Sequence, residues 1–261
     1  MSPIGRDAEE GAAILAEKCG SRSVRPAAPE PSKADQAYFG RFTGGYAPYA
    51  DRDLDRMIGP LLEHAKGYTR LRVLEVGCAS GQFSTELFRG LGRTDALFSG
   101  LDIAAPVLKQ FPFAGVCGSA FQSPFSSGSF EVICFPASLH HLFPLDAALD
   151  EMARVLAPGG LMYCVEPNYY HPHRRFFMRF QALYRLCRDM NDVPIRHDWL
   201  GAALERRGFK VLHLEFVNLQ FQNPGLLQKA QNAVASIPLL RCGDRWRMPW
   251  FVTLARKGAR P

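Results

Sequence analysis

Apolar residues along this chain follow two spacings that take turns. Short aliphatic and aromatic runs read as strands at 71–76, with Val73, Leu74 and Val76, and at 97–103, 130–135, 161–165, 209–216 and 250–256, with one more short strand before Gly118. Helical spacing lies between them: Phe83, Leu87 and Leu91 share one face, another helix ends at 154–160, and a third runs over 199–207 and stops at Gly208. A further helical pattern, Leu54, Met57, Ile58, Leu61 and Leu62, precedes the first strand. Strands that alternate with helices predict an α/β domain built on parallel pairing.

The first strand breaks off at Gly77 and Gly81 before the Phe83 helix begins, so residues 71–82, LRVLEVGCASGQ, form a strand, a tight turn and a helix start. Glycine at these places lets a ligand lie against backbone, beside the unpaired N–H groups of a helix N-terminus. The same glycines also suit a tight turn that binds nothing. A dinucleotide fingerprint requires glycine at 77, 79 and 82, but Ala79 and Gln82 stand at two of these, which argues against a pyrophosphate site.

The segment Glu75-Val76-Gly77-Cys78-Ala79-Ser80-Gly81 resembles the first motif of the class I S-adenosylmethionine-dependent methyltransferases, with Ala79 in place of the middle glycine. Three more stretches resemble that family in order and spacing: the strand ending at Asp102, the segment Leu139-His140-His141-Leu142, and Arg154-Val155-Leu156-Ala157-Pro158-Gly159-Gly160. The resemblance covers about residues 70 to 167. It implies a Rossmann-like, seven-stranded, mostly parallel sheet with helices on both faces, plus N-terminal and inserted helical cap segments. It also implies S-adenosyl-L-methionine as cofactor, held by Glu75, Gly77, Cys78, Ala79, Gly81, Asp102, Ile103, Ser119, Ala120, Phe121 and Phe135. Asp102 would accept the ribose hydroxyls. Ser119 stands where many relatives carry an acid toward the adenine amino group, so adenine is held there by backbone and Phe121 or the site differs. Cys134-Phe135-Pro136-Ala137 lacks the Pro-Pro-Tyr segment of enzymes that methylate base or amide nitrogens, and the carboxylates of the metal-dependent catechol type are also missing.

Residues 1–33 read as a flexible tail, and 34–261 as one methyltransferase domain with an N-terminal lid (34–69), a cap-helix insertion (169–198) and a C-terminal insertion (217–249). The rings of Tyr38, Phe42 and Tyr46 either cover the site or anchor their segment to the core. The loop after the fifth strand brings Tyr169, Tyr170 and His171 to the sheet edge, where open α/β sheets bind ligands. His171-x-His173 has no companion carboxylate or cysteine spacing, and no metal is expected. The arginines of 174–188 lie in water beside a packed apolar stripe, or they meet an anionic membrane.

The remaining features narrow the function. Seven cysteines form no C-x-x-C pair, which favours reduced, buried thiols and a cytoplasmic setting. A net charge of +6 is modest, and without an RNA-binding motif it does not favour nucleic acid as partner. The expected activity is methyl transfer to a small-molecule acceptor, to oxygen ahead of carbon or nitrogen, with methylation of RNA or a non-methylating scaffold as alternatives. Proton removal from a hydroxyl needs a base, for which His141, then His140 or His171, are the candidates.

Overall fold

The computed structural model describes residues 51–172, 174–175, 195–219 and 244–259. In chain order these form α1 (Asp51–Ala65), β1 (Arg72–Val76), α2 (Gln82–Leu91), β2 (Leu97–Asp102), α3 (Ala105–Leu108), β3 (Ala114–Cys117) and β4 (Phe130–Pro136). A 3₁₀ turn (Leu139–His141) then leads to α4 (Leu145–Val155), β5 (Leu156–Pro167), α5 (His197–Glu205), β6 (Phe209–Val217), α6 (Asp244–Arg247) and β7 (Trp250–Lys257). The seven strands make one sheet in the order β3-β2-β1-β4-β5-β7-β6. Pairing is parallel from β3 to β5, and β7 runs antiparallel to both β5 and β6. The expected Rossmann-like, mostly parallel sheet is present.

Strand alternation divides the core in two. Leu74, Ile133, Phe135, Met162 and Phe251 point to the face covered by α4 and α5, while Val73, Val132, Cys134, Tyr163 and Val252 point to the face covered by α1 and α2. Each fully buried aliphatic side chain contributes about 1.5–3 kcal/mol, so the central strands, covered on both sides, carry much of the stability. Cys78, Cys134 and Cys164 are buried free thiols, in line with the reduced state expected from sequence, whereas Cys117 on the edge strand is exposed.

The stretch expected to be a lid divides here. Its α1 portion packs Met57, Ile58, Leu61 and Ala65 into the core against Phe83 and Leu87 of α2. Tyr38, Phe42 and Tyr46 lie outside the described residues, as do most of the arginine-rich helix and of the 217–249 insertion.

β5 starts earlier than its sequence suggested. Pro158-Gly159-Gly160, expected between helix and strand, lies inside β5, whose register with β4 slips between Phe130 and Val132. Gly159 supplies the positive φ of 76° for this bulge. The helix ahead of it is tied down by Arg154, which donates to Glu151, to the carbonyl of Phe125 and to Ser127 Oγ, while Glu151 also accepts from Ser123.

Glu75 sits in mid-strand on the α2 face and is almost fully buried. Its Oε2 accepts the backbone N–H of Ser84 at 3.1 Å and the Ser84 hydroxyl at 2.5 Å, which pins the first turn of α2 to β1. Burial pushes its carboxyl up to about 8, with the Ser84 bonds acting the other way.

Three outcomes follow for stability. A carboxyl whose folded pKa is raised from 4.5 to about 8 stabilises the fold fully below pH 4.5, and this contribution is lost as pH rises through 8. Glu75→Gln should therefore flatten the fall of Tm between pH 5 and 9, measured by thermal melts. In β2, a Cβ at Gly100 would strike the Cys78 sulfur and come within 2.8 Å of the Phe111 ring. Gly100→Ala should cost about 1–3 kcal/mol in urea titrations, while Gly201→Ala, where a Cβ meets nothing, should stabilise α5 by about 0.4–1 kcal/mol.

Candidate active site

Strand order reverses between β1 and β4, and a crevice forms at the carboxyl ends of strands at such a point. The loops after β1, β2, β4 and β5 all meet along this edge. Gly77, Ala79 and Gly81 have φ of 68°, 43° and 77°, so the loop after β1 passes three times through a left-handed region that glycine tolerates and alanine resists. Ala137, just after β4, has φ of 60°. These two alanines are the non-glycine residues with positive φ among the described residues, and strain of this kind gathers at functional sites.

The glycines answer to the protein itself before any ligand. A Cβ on Gly77 would lie 2.6 Å from Ser138 Cβ, and one on Gly81 would lie 2.6 Å from the Phe111 ring and 2.8 Å from Pro112. The expectation that a side chain at 81 would fill ligand space is corrected: that side of Gly81 is packed by Phe111. Ser138, which sequence reasoning passed over, donates its hydroxyl to the carbonyl of Val76 at 2.5 Å and locks the β4 loop against the β1 loop.

Asp102 ends β2 beside this turn. Its Oδ2 accepts the N–H of Ala79 at 3.0 Å and its Oδ1 the N–H of Ala104 at 2.9 Å. Burial raises its pKa, and these N–H donors oppose the rise. Backbone N–H groups of Ala79, Ile103 and Ala104 do not use up the lone pairs of two carboxylate oxygens, which leaves capacity for a further hydroxyl. The loop after β3 brings Ser119, Ala120 and Phe121 to the same edge, where Ser119 Oγ accepts the Phe121 N–H at 3.2 Å. Ile103 follows Asp102 and is half-buried.

Three expected cofactor side chains face inward instead. Phe135 is fully buried among Leu74, Ile133 and Met162, because its β4 position places it on the α4 face. Cys78 packs toward Gly100, and Glu75 toward Ser84. Cys78 reaches the crevice by backbone only, and Glu75 shapes the loop from beneath.

At the end of β5, Glu166 has 0% exposure. Its Oε1 accepts the N–H of Leu139 at 2.8 Å, and its Oε2 accepts the N–H of His140 at 3.3 Å and faces His140 Nδ1 at 2.6 Å. Burial pushes Glu166 up to about 8, opposed by the Leu139 N–H and by His141. His140 is 5% exposed, and the half-buried ring of His141 lies against it with centroids 3.9 Å apart. Sequence reasoning took the histidines and missed Glu166. An acid that closes an otherwise apolar, fully buried strand was its available signal.

His171 is buried, with its backbone joined to Asn168 and Arg175. Tyr169 is half-buried and meets Tyr170 edge-on. Tyr170, expected at the acceptor, belongs to a packing cluster: its hydroxyl donates to Asp198 at 3.0 and 3.1 Å, Arg245 lies 4.2 Å over its ring, and His197 and Trp246 meet its edges. Hydrogen bonds from Arg196 and Tyr170 hold Asp198 well below the usual carboxylate range. Tyr170 thus ties the β5 loop to α5 and α6.

A nucleoside with a charged amino-acid tail fits what remains. Asp102 has lone pairs for ribose hydroxyls, and the N–H groups of Gln82 and Phe83 have no backbone partner among the described residues.

Comparison with known proteins agrees with this geometry. A family model described as "Methyltransferase domain" matches residues 45–214, more than half of the chain. Demethylmenaquinone methyltransferase of Staphylococcus aureus strain MRSA252 is 29% identical over 122 residues, 44% of this chain and 49% of the relative. The chain spans about half the length of the curated relatives it matches. Among solved structures, the [4+2]-cyclase SpnF is similar at a TM-score of 0.62 with 18% identity, covering 92% of this chain and 100% of that one. A sarcosine dimethylglycine methyltransferase, so described provisionally, from Galdieria sulphuraria is similar at 0.60 with 16% identity, covering 87% and 99%. Such likenesses speak for the fold, while the family match covers both the β1 loop and the histidine segment. The chain belongs to the methyltransferase-domain family, with the class I fold that binds S-adenosylmethionine.

Proposed function

We propose that this protein transfers a methyl group from S-adenosylmethionine to a small-molecule acceptor, to oxygen ahead of carbon or nitrogen. The observation that carries the reading is the meeting, at one sheet edge, of the β1 loop and Asp102 with a histidine held on a buried carboxylate. The cofactor supplies an electrophilic methyl on a sulfonium. The chain's own work is to bind, align and move a proton.

Asp102 would take the ribose hydroxyls, with the loop Gly77–Gly81 and the start of α2 beside it. Ala120 and Phe121 border the adenine side, and Ser119 offers a weaker acceptor there than a carboxylate. Acceptors that are already nucleophilic need alignment alone, but a hydroxyl also needs a base, and histidine suits neutral pH. The relative from Staphylococcus aureus is named for a demethylmenaquinone acceptor, which supports a small, apolar acceptor here. It also puts hydroxylated aromatic rings first among compounds to test. A non-methylating role draws support from the cyclase that shares the fold.

Calorimetry should show S-adenosylmethionine binding to the parent, with Asp102→Ala weakening it by about 1–3 kcal/mol, roughly 5- to 150-fold in Kd. Asp102→Asn should lose less, because its remaining carbonyl oxygen still accepts. Unchanged affinity in both would remove Asp102 from the site. Incubation with methyl-labelled cofactor, a panel of phenols and quinols, and total RNA should place label in the small-molecule fraction as a methyl ether. Label in RNA, or none with any acceptor, would overturn the proposed function.

A further inference from the structure

We infer that Arg175, Arg245 and Trp246 form a binding site for an aromatic carboxylate, placed to hold the acid end of the methyl acceptor. The site stands on its own geometry, and its part in recognising the acceptor rests on the methyl-transfer reading above.

Asn168 fixes where the site lies. It follows the last residue of β5, is fully buried, and uses both polar atoms of its side chain: Nδ2 donates to the carbonyls of Arg245 at 2.7 Å and Met248 at 2.8 Å, and Oδ1 accepts the N–H of Tyr170 at 3.0 Å. Its backbone N–H donates to the carbonyl of Pro249 at 2.8 Å. These bonds fasten α6 and the loop after β5 together past the carboxyl end of β5, just beyond the carboxylate that meets His140. β5 is two strands from β1, so this edge lies roughly 10 Å across the sheet from the loop after β1, within the reach of one small molecule.

The side chains mounted on this frame carry unbalanced charge. The Arg245 guanidinium lies 4.2 Å from the centre of the Tyr170 ring and 5.7 Å from that of Trp246, and Arg175 lies 5.5 Å from the Trp246 ring centre. Arg196 also faces the Tyr170 ring, at 5.7 Å. Asp198, the carboxylate that meets this cluster among the described residues, is taken by Arg196 and by the Tyr170 hydroxyl. Three guanidiniums against one carboxylate leave an excess of two positive charges among the described residues. Arg72, Arg154 and Arg207 each end on an acid, whereas the guanidiniums of Arg175 and Arg245 are exposed and have no carboxylate or hydrogen-bond acceptor among the described residues. The positive field is felt nearby, because burial holds the pKa of His197 down and the charge of Arg245 adds to this.

Each part calls for the same kind of ligand. Attraction to a ring face does not use the N–H donors of a guanidinium, so Arg175 and Arg245 keep theirs for an oxyanion, which also relieves the repulsion between them. Trp246, which both arginines face, is 44% exposed and leaves a large flat apolar surface in water. A planar ring that carries an acid covers the indole and meets the guanidiniums together. Inorganic phosphate would meet the arginines and leave the indole bare, and an uncharged phenol would do the reverse. The ring is the apolar body already argued for the acceptor, and the acid is what this site adds to it.

The test begins without cofactor. Calorimetry on the full-length protein should show para-hydroxybenzoate and benzoate binding about tenfold tighter than phenol or inorganic phosphate. Arg175→Gln and Arg245→Gln should each weaken the acids by about tenfold and leave phenol unchanged, and Arg245→Lys should lose less. Lys210→Gln, which removes an exposed charge on β6, should change nothing. Benzoate should shift the indole emission of the parent but not that of Trp246→Phe. Equal affinity for the acids and phenol, or acid binding that survives both glutamine variants, would overturn the site. Binding to vesicles of anionic phospholipid that both variants abolish, without affinity for the acids, would overturn it too and make this rim a lipid contact. With methyl-labelled S-adenosylmethionine, Arg245→Gln should raise KM for para-hydroxybenzoate about tenfold and leave kcat within about twofold. Acids that bind as stated while no hydroxylated compound takes label leave the site standing and remove the proposed function. Label on uncharged phenols without binding of the acids does the opposite.

Discussion

A strand carboxylate that catches the backbone of a turn at the carboxyl edge of the sheet is the contact on which this structure turns. Glu75 does so from the middle of β1, taking the N–H and hydroxyl of Ser84 and thereby setting where α2 begins. Asp102 repeats the device at the end of β2 with the N–H groups of Ala79 and Ala104, and Glu166 repeats it at the end of β5 with Leu139 and His140. Glu75 and Glu166 are taken out of water and Asp102 is partly so, which is costly for a charge, and each is compensated by N–H donors of those turns. Irregular loops held in this way behave as rigid parts, and a site for in-line transfer needs rigid parts because alignment supplies most of its catalysis.

The same contacts connect stability to chemistry. Glu75 and Glu166 both carry raised pKa values from burial, so the forces that fix the crevice also make its fold sensitive to pH. Packing around the glycines adds to this rigidity. Ser138 fills the space beside Gly77, and Phe111 the space beside Gly81, so the loop after β1 is pressed from two neighbouring loops and has little freedom to adopt another path.

Much of the fold could be read in advance because its signals are local. Continuous apolar runs marked the buried strands, and the spacing of Phe83 and Leu87 marked α2, while the short helices α3 and α6 carry no such pattern and are not read from the sequence. The exceptions have physical causes. Pro158-Gly159-Gly160 reads as a break, yet a bulge keeps it within β5. Tyr170 reads as a candidate substrate contact at the sheet edge, but Asp198 and Arg245 come from distant segments to hold it in a packing cluster.

By itself the sequence determined the strand-turn-helix at 72–91, the acid at the tip of β2 and the histidine pair after β4, since each depends on residues near one another in the chain. Tertiary structure alone decided which side chains face the crevice. Phe135 and Cys78 turn inward because strand pleat and sheet position assign them to the core. His140 meets Glu166 across 26 positions of sequence because β4 and β5 are paired in parallel, in one register from Val132 to Pro136, and no local pattern encodes which carboxylate will lie beside which ring.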